Sequence, residues 1–129
     1  MSIVDVPQLQ RIAEVEFVDI VTDTVPGLNQ LRILLEDGSY VDVWFSLKLE
    51  GRYSYHWERK AIDGTIYRHD NAPHQRWQHV RTFPKHFHDG REDDVTESHL
   101  SDEPADSLRE FLMFVRTNIS STGNDAESG

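Results

Sequence analysis

The chain has 129 residues, enough for one domain with a sizeable core. It has no cysteine, which excludes disulfide frameworks, thiolate zinc sites and cysteine nucleophiles. The formal charge is −10, but residues 59–91 carry seven basic and three acidic residues, so that segment is +4 and the rest is −14. Such a balance does not suit a protein that coats nucleic acid generally, yet it leaves room for one local patch facing a phosphate. No apolar run approaches the roughly 18 residues of a membrane span. The opening MSIVDVPQLQ carries acid where a signal peptide needs base. A cytoplasmic protein with no membrane partner is the expectation.

In chain order, Leu9, Ile12 and Ala13 fall at helical spacing after Pro7 and suggest a short helix. Glu16 to Val25 is rich in β-branched residues and closes on Pro26-Gly27. Leu31, Ile33 and Leu35 then alternate with their neighbours up to Asp37-Gly38, a hairpin signal. Beyond it Val41, Val43 and Phe45 share one face, with Tyr40, Asp42 and Trp44 on the other. Tyr53, Tyr55 and Trp57 continue the alternation to Asp63-Gly64, and Thr65 to Arg68 restarts it. Tight connections imply antiparallel pairing, since parallel strands need longer crossovers. Residues 71–100 lose periodicity and read as a long ordered loop with one or two short extended pieces, a length usually tied to function.

Leu108, Phe111, Leu112, Val115 and Ile119 mark one face of a C-terminal helix. Its start is set either by a Ser107–Glu110 capping box or by Pro104 one turn earlier. The polar residues 120–129 are expected to form a disordered tail. The predicted fold is α+β: an antiparallel meander of four to five strands with the helix on one face, a single domain over residues 1–119.

Five of the seven histidines (His69, His74, His79, His86 and His88) sit in the basic segment. His86 and His88 are two apart, so an extended backbone points both rings the same way. Three chemistries suit this set. Two imidazoles can act as general base and acid on a phosphodiester, because their pKa near 6.5 lets one be neutral while the other is charged. Arg68, Arg81 or Lys85 would then hold the phosphate. Alternatively His74, His86 and His88, with Asp70, ligate a divalent metal such as zinc. In the third, Trp77 or Phe87 stacks on bases and the arginines meet phosphates without cleavage. Against all three stands the plain account: His69 hydrogen-bonds in the sheet, and Asp70-Asn71 caps a turn. His56 reads as a half-exposed sheet residue, and Glu92, Asp93, Asp94 and Glu97 as a solvated acidic run.

Two blocks carry a resemblance. Tyr67-Arg68-His69-Asp70-Asn71-Ala72-Pro73-His74 and Phe83-Pro84-Lys85-His86-Phe87-His88-Asp89-Gly90 resemble the signature of the TumE family, small toxins of prokaryotic toxin–antitoxin pairs. That signature has an arginine just ahead of Asp-Asn-x-Pro-His, then Phe-Pro-His-His-x-His. Lys85 stands where the family commonly has its first histidine. The resemblance spans about residues 30–119. It implies an antitoxin partner, commonly with a helix-turn-helix DNA-binding part, and action on RNA. The endoribonuclease reading that follows has His74, His86, His88, Arg68 and Asp70 as catalytic residues. Asn71, Lys85, Arg81 and Trp77 are substrate-binding, and no cofactor is required. A metal-dependent hydrolase or a non-enzymatic binding toxin are the alternatives.

Overall fold

The structure is a computed structural model describing the backbone of residues 3–128 and the side chains of residues 3–119. Helix α1 (Val6–Arg11) opens under the side chain of Asp5, which accepts the Gln8 N–H at 3.1 Å, and widens into a π turn over Ile12–Glu16. Seven strands follow: β1 (Val21–Gly27), β2 (Gln30–Leu35), β3 (Tyr40–Phe45), β4 (Tyr53–Arg59), β5 (Thr65–Asp70), β6 (His86–Gly90) and β7 (Val95–Glu97). They form one sheet in chain order, every neighbouring pair antiparallel. A single turn, α2 (Lys60–Asp63), joins β4 to β5. The long helix α3 (Pro104–Ser128) closes the chain.

The expected α+β meander is present, but with seven strands rather than four to five. Both additional strands lie in the stretch without apolar alternation. The inward side of β6 offers only Phe87, while its outward positions are imidazoles, so burial there leaves no hydrophobic pattern. β7 is three residues long, too short for a period to register. The first strand also begins later than expected. Phe17 and Ile20 are buried, but from a turn that packs under the sheet rather than from a strand.

One face of the sheet makes the main core. Leu31, Ile33, Val41, Val43, Tyr55 and Trp57 alternate inward against Leu108, Phe111, Leu112 and Val115 of α3 and against Leu9, Ile12 and Ala13. The helix starts at Pro104, where proline's missing N–H costs nothing. The Glu103 carboxylate accepts the Asp106 N–H at 2.8 Å. Ser107 is therefore inside the helix, hydrogen-bonded to Tyr55 Oη in the core. The expected tail at residues 120–129 lies outside the residues whose side chains are described. Among the described residues no helix is long and apolar enough to cross a membrane.

The opposite face matters for function. Strand register lines up a polar row across it: Arg32 beside Asp42, Asp42 beside His56, His56 beside Arg68, and Arg68 beside His88. A parallel row runs through Trp44, Ser54, Asp70 and His86. The segment between β5 and β6 folds back, burying Trp77 and Val80 outside the main core.

Candidate functional site

His86 and His88 project from β6 onto the outer face, their ring centroids 4.9 Å apart. Both are buried, His86 completely. Trp77, brought in by a short turn over Gln75–Trp77, walls them off: its ring lies 6.1 Å from that of His86 and 5.8 Å, edge-on, from that of His88. The backbone fixes both tautomers. His86 Nδ1 is 2.8 Å from the Pro84 carbonyl oxygen and His88 Nδ1 is 2.9 Å from that of Glu92. A carbonyl only accepts, so each Nδ1 carries the proton and, in the neutral ring, each Nε2 carries a lone pair.

Those lone pairs face Asp70 and Arg68. Asp70 Oδ1 is 3.2 Å from His86 Nε2, and Asp70 Oδ2 is 3.7 Å from His88 Nε2. Arg68 donates from Nε to Asp70 at 3.1 Å and from Nη2 toward His88 Nε2 at 3.3 Å. Its two terminal nitrogens also clamp Glu92, at 3.0 and 2.6 Å. Burial opposes ionisation of Asp70. A protonated His88 ring facing it, the Ala72 N–H, the charge of a protonated His86 and the Arg68 guanidinium outweigh it and hold its pKa at about 2. Burial also works against the charge on Arg68, and the carboxylates of Glu92 and Asp70 more than restore it. Hydrogen bonding from Arg68 holds Glu92 below the usual carboxylate range.

An open cleft of about 320 Å³ reaches this cluster, lined by Arg68, Asp70, His74, Arg76, Trp77, His88 and Glu92. The fold thus gathers His88, Arg68 and Asp70 with His74, which is exposed on the loop after β5. His86 stands behind them. The remaining candidates lie elsewhere. Asn71 accepts the Tyr53 N–H at 2.9 Å and donates to the Gly51 carbonyl at 2.7 Å, tying down the β3–β4 loop. Lys85 donates to the Leu100 carbonyl and pairs with Asp102 at 3.3 Å. Both line a separate hollow of about 710 Å³ with Gly51 and Tyr53. Arg81 is exposed on the loop before Pro84. Trp77 serves as a buried wall, with Arg76 over its ring at 4.7 Å.

His69 turns to the core side. Its Nδ1 meets Ser98 Oγ at 2.7 Å, and its ring stacks on Phe87 with centroids 4.3 Å apart. Burial, reinforced by the Lys85 charge, lowers its pKa to about 4. Two residues assigned bland roles join the cluster. His56 Nδ1 lies 3.3 Å from Arg68 Nη1, and its Nε2 lies 3.1 Å from Glu58. Glu92 belongs to no merely solvated run: its carboxylate clamps Arg68 and its carbonyl fixes His88. The sequence carries no local signal for His56, which cross-strand register brings beside Arg68. For Glu92 the signal was Gly90, whose φ of +92° makes the turn that returns the chain to β6.

A family model described as toxin TumE matches residues 6–119. No curated protein and no solved structure matches the chain.

Proposed function

The chain belongs to the toxin TumE family and is the toxin component of a toxin–antitoxin system, and from that premise we propose that it acts on RNA in the cytoplasm as an endoribonuclease, with the cleft at Arg68, His74 and His88 as its active site. The carrying observation is the 3.3 Å approach of Arg68 Nη2 to His88 Nε2 on the wall of an open cleft. In the resting site the guanidinium occupies the lone pair of His88. A phosphodiester entering the cleft draws Arg68 to its own oxygens and frees that lone pair. His88 Nε2 then takes the proton of a ribose 2′-hydroxyl, whose oxygen attacks the adjacent phosphorus. The bond to the 5′ oxygen breaks, and His74 at the mouth protonates that leaving oxygen. Arg68 stabilises the charge that builds on the phosphate. Asp70 orients the pair, and His86, wholly buried, takes no part in contacting substrate. The cognate antitoxin, carrying a helix-turn-helix part, silences the toxin by covering this cleft.

The test is growth arrest on expression without antitoxin, with cleavage of labelled RNA by the purified chain. His88→Ala and His74→Ala are expected to abolish arrest and to slow cleavage by about 10²-fold or more, the usual worth of a positioned acid or base. Variants as toxic as the parent, or RNA bound and left intact, refute the reading; the latter outcome would make the protein a binding toxin.

A further inference from the structure

We infer that Asp70, His86 and His88 form a site for a divalent transition-metal ion of the zinc type, and that filling it switches the toxin off by occupying His88. The inference rests on the proposed function for its consequence, though not for the site itself.

One carboxylate oxygen and two imidazole nitrogens from these residues all lie within 4.8 Å of one another. A tetrahedral ion with bonds of about 2.0–2.1 Å needs donors about 3.3 Å apart. His86 Nε2 and Asp70 Oδ1 are already at 3.2 Å, and His88 Nε2 and Asp70 Oδ2 at 3.7 Å. The backbone has prepared the donors. With both Nδ1–H groups committed to carbonyls, each Nε2 presents a lone pair, the arrangement that metal-binding histidines normally share.

An independent observation points to a missing partner. His86 Nε2 is wholly buried and makes no aligned hydrogen bond among the described residues, although Asp70 Oδ1 stands 3.2 Å away. A lone pair facing a carboxylate is two acceptors with nothing between them, and a buried polar atom left so is costly. A cation bonded to both resolves the conflict. The set of two nitrogens and one oxygen favours zinc and its transition-metal neighbours over magnesium or calcium, which prefer oxygen alone. Arg68 has somewhere to go: Glu92 already holds it through two hydrogen bonds, so leaving His88 and Asp70 does not strand its charge.

The experiment uses the full chain, stripped with chelator and titrated with Zn²⁺ by calorimetry. The expected result is one ion per chain with micromolar or tighter affinity. Asp70→Asn and His86→Gln should each weaken binding at least tenfold, while His99→Ala, at an exposed position outside the site, should not. If His86→Gln does not fold, Asp70→Asn carries the mutational test, and long-range ¹⁵N–¹H spectra of the parent carry the rest. There Zn²⁺ should move the Nε2 signals of His86 and His88. Absence of stoichiometric binding, equal affinity in Asp70→Asn, or His86 and His88 Nε2 signals unmoved by Zn²⁺ overturns the site. RNA cleavage is read separately. Loss of cleavage with Zn²⁺ and recovery with chelator supports the switch. Cleavage that instead requires Zn²⁺ keeps the site but overturns both the switch and the role of His88 as base. A protein that binds Zn²⁺ and never cleaves RNA refutes the proposed function alone.

Discussion

His69 gives the sharpest stability test, because it separates a structural histidine from its neighbours. Its folded pKa is about 4 against an ordinary value of 6.5, with burial as the main cause. Between those values the unfolded chain binds a proton that the folded chain refuses. Stability therefore falls as pH drops through this window and is unaffected above it. Integrating the difference gives a loss of about 2 kcal/mol by pH 5 and about 3 kcal/mol by pH 4. Replacing His69 with Phe keeps the stack on Phe87 and the edge contact with Phe111, whose centroid is 5.7 Å away. It removes the hydrogen bond to the buried Ser98 hydroxyl, at a cost of about 1–3 kcal/mol. The variant should thus be less stable than the parent at pH 7 and draw level or overtake it by about pH 4 to 5. Urea unfolding of both proteins across pH 4–7 measures the difference, and subtraction removes the contribution of the other titrating groups. A difference that does not change with pH refutes the burial of a neutral His69.

Asn71→Ala should cost about 1–3 kcal/mol in the same unfolding assay, because it leaves the Tyr53 N–H and the Gly51 carbonyl without their shared partner; a change within a few tenths would show that the β3–β4 loop holds itself. Arg68→Lys keeps the charge but loses the fork that reaches Asp70, His88 and Glu92 together, so RNA cleavage should drop at least tenfold, and parental activity would refute the geometry. Glu92→Gln should tighten RNA binding severalfold, since it removes a carboxylate that competes with phosphate for Arg68. Its stability cost should stay below about 1 kcal/mol, because Glu92 is half exposed. Weaker RNA binding in that variant would show that Glu92 helps to position the guanidinium.

Where alternation was strong, the chain could be read directly. Val41, Val43, Tyr55, Trp57, Leu108, Phe111 and Leu112 all face the core as their spacing implies. The pairing of His86 with His88 on one side of an extended segment was equally legible, being a consequence of a two-residue period. Two kinds of information were not. Cross-strand register places His56 next to Arg68 and Arg68 next to His88, and no local pattern contains it. Loop geometry decides which side chains meet across a gap. Asn71 and Lys85 belong to the same sequence blocks as Asp70 and His86, yet each is spent on backbone carbonyls at another hollow. In a strand adjacent residues point to opposite faces, so neighbours in a motif are often strangers in space.

The same geometry recasts the charge asymmetry. Much of the positive charge in residues 59–91 is met by acid. Arg59 pairs with Asp37 and Asp63, Arg68 with Asp70 and Glu92, Arg76 with Asp93, and Lys85 with Asp102. Lys60, Arg81 and Arg91 are exposed, form no ion pair among the described residues and do not line the cleft. RNA held in the cleft therefore meets the two cations that line it, Arg68 and Arg76, each freed when phosphate displaces its carboxylate. For single strands, each neutralised phosphate adds roughly −0.7 to the slope of log affinity against log salt, so two contacts imply about −1.4. Binding of a short unstructured RNA, followed from 50 to 300 mM salt, reads that slope directly. A value near −5 would require a basic surface that these ion pairs remove, and would refute the idea that recognition is confined to one phosphate-sized cleft rather than spread along the strand.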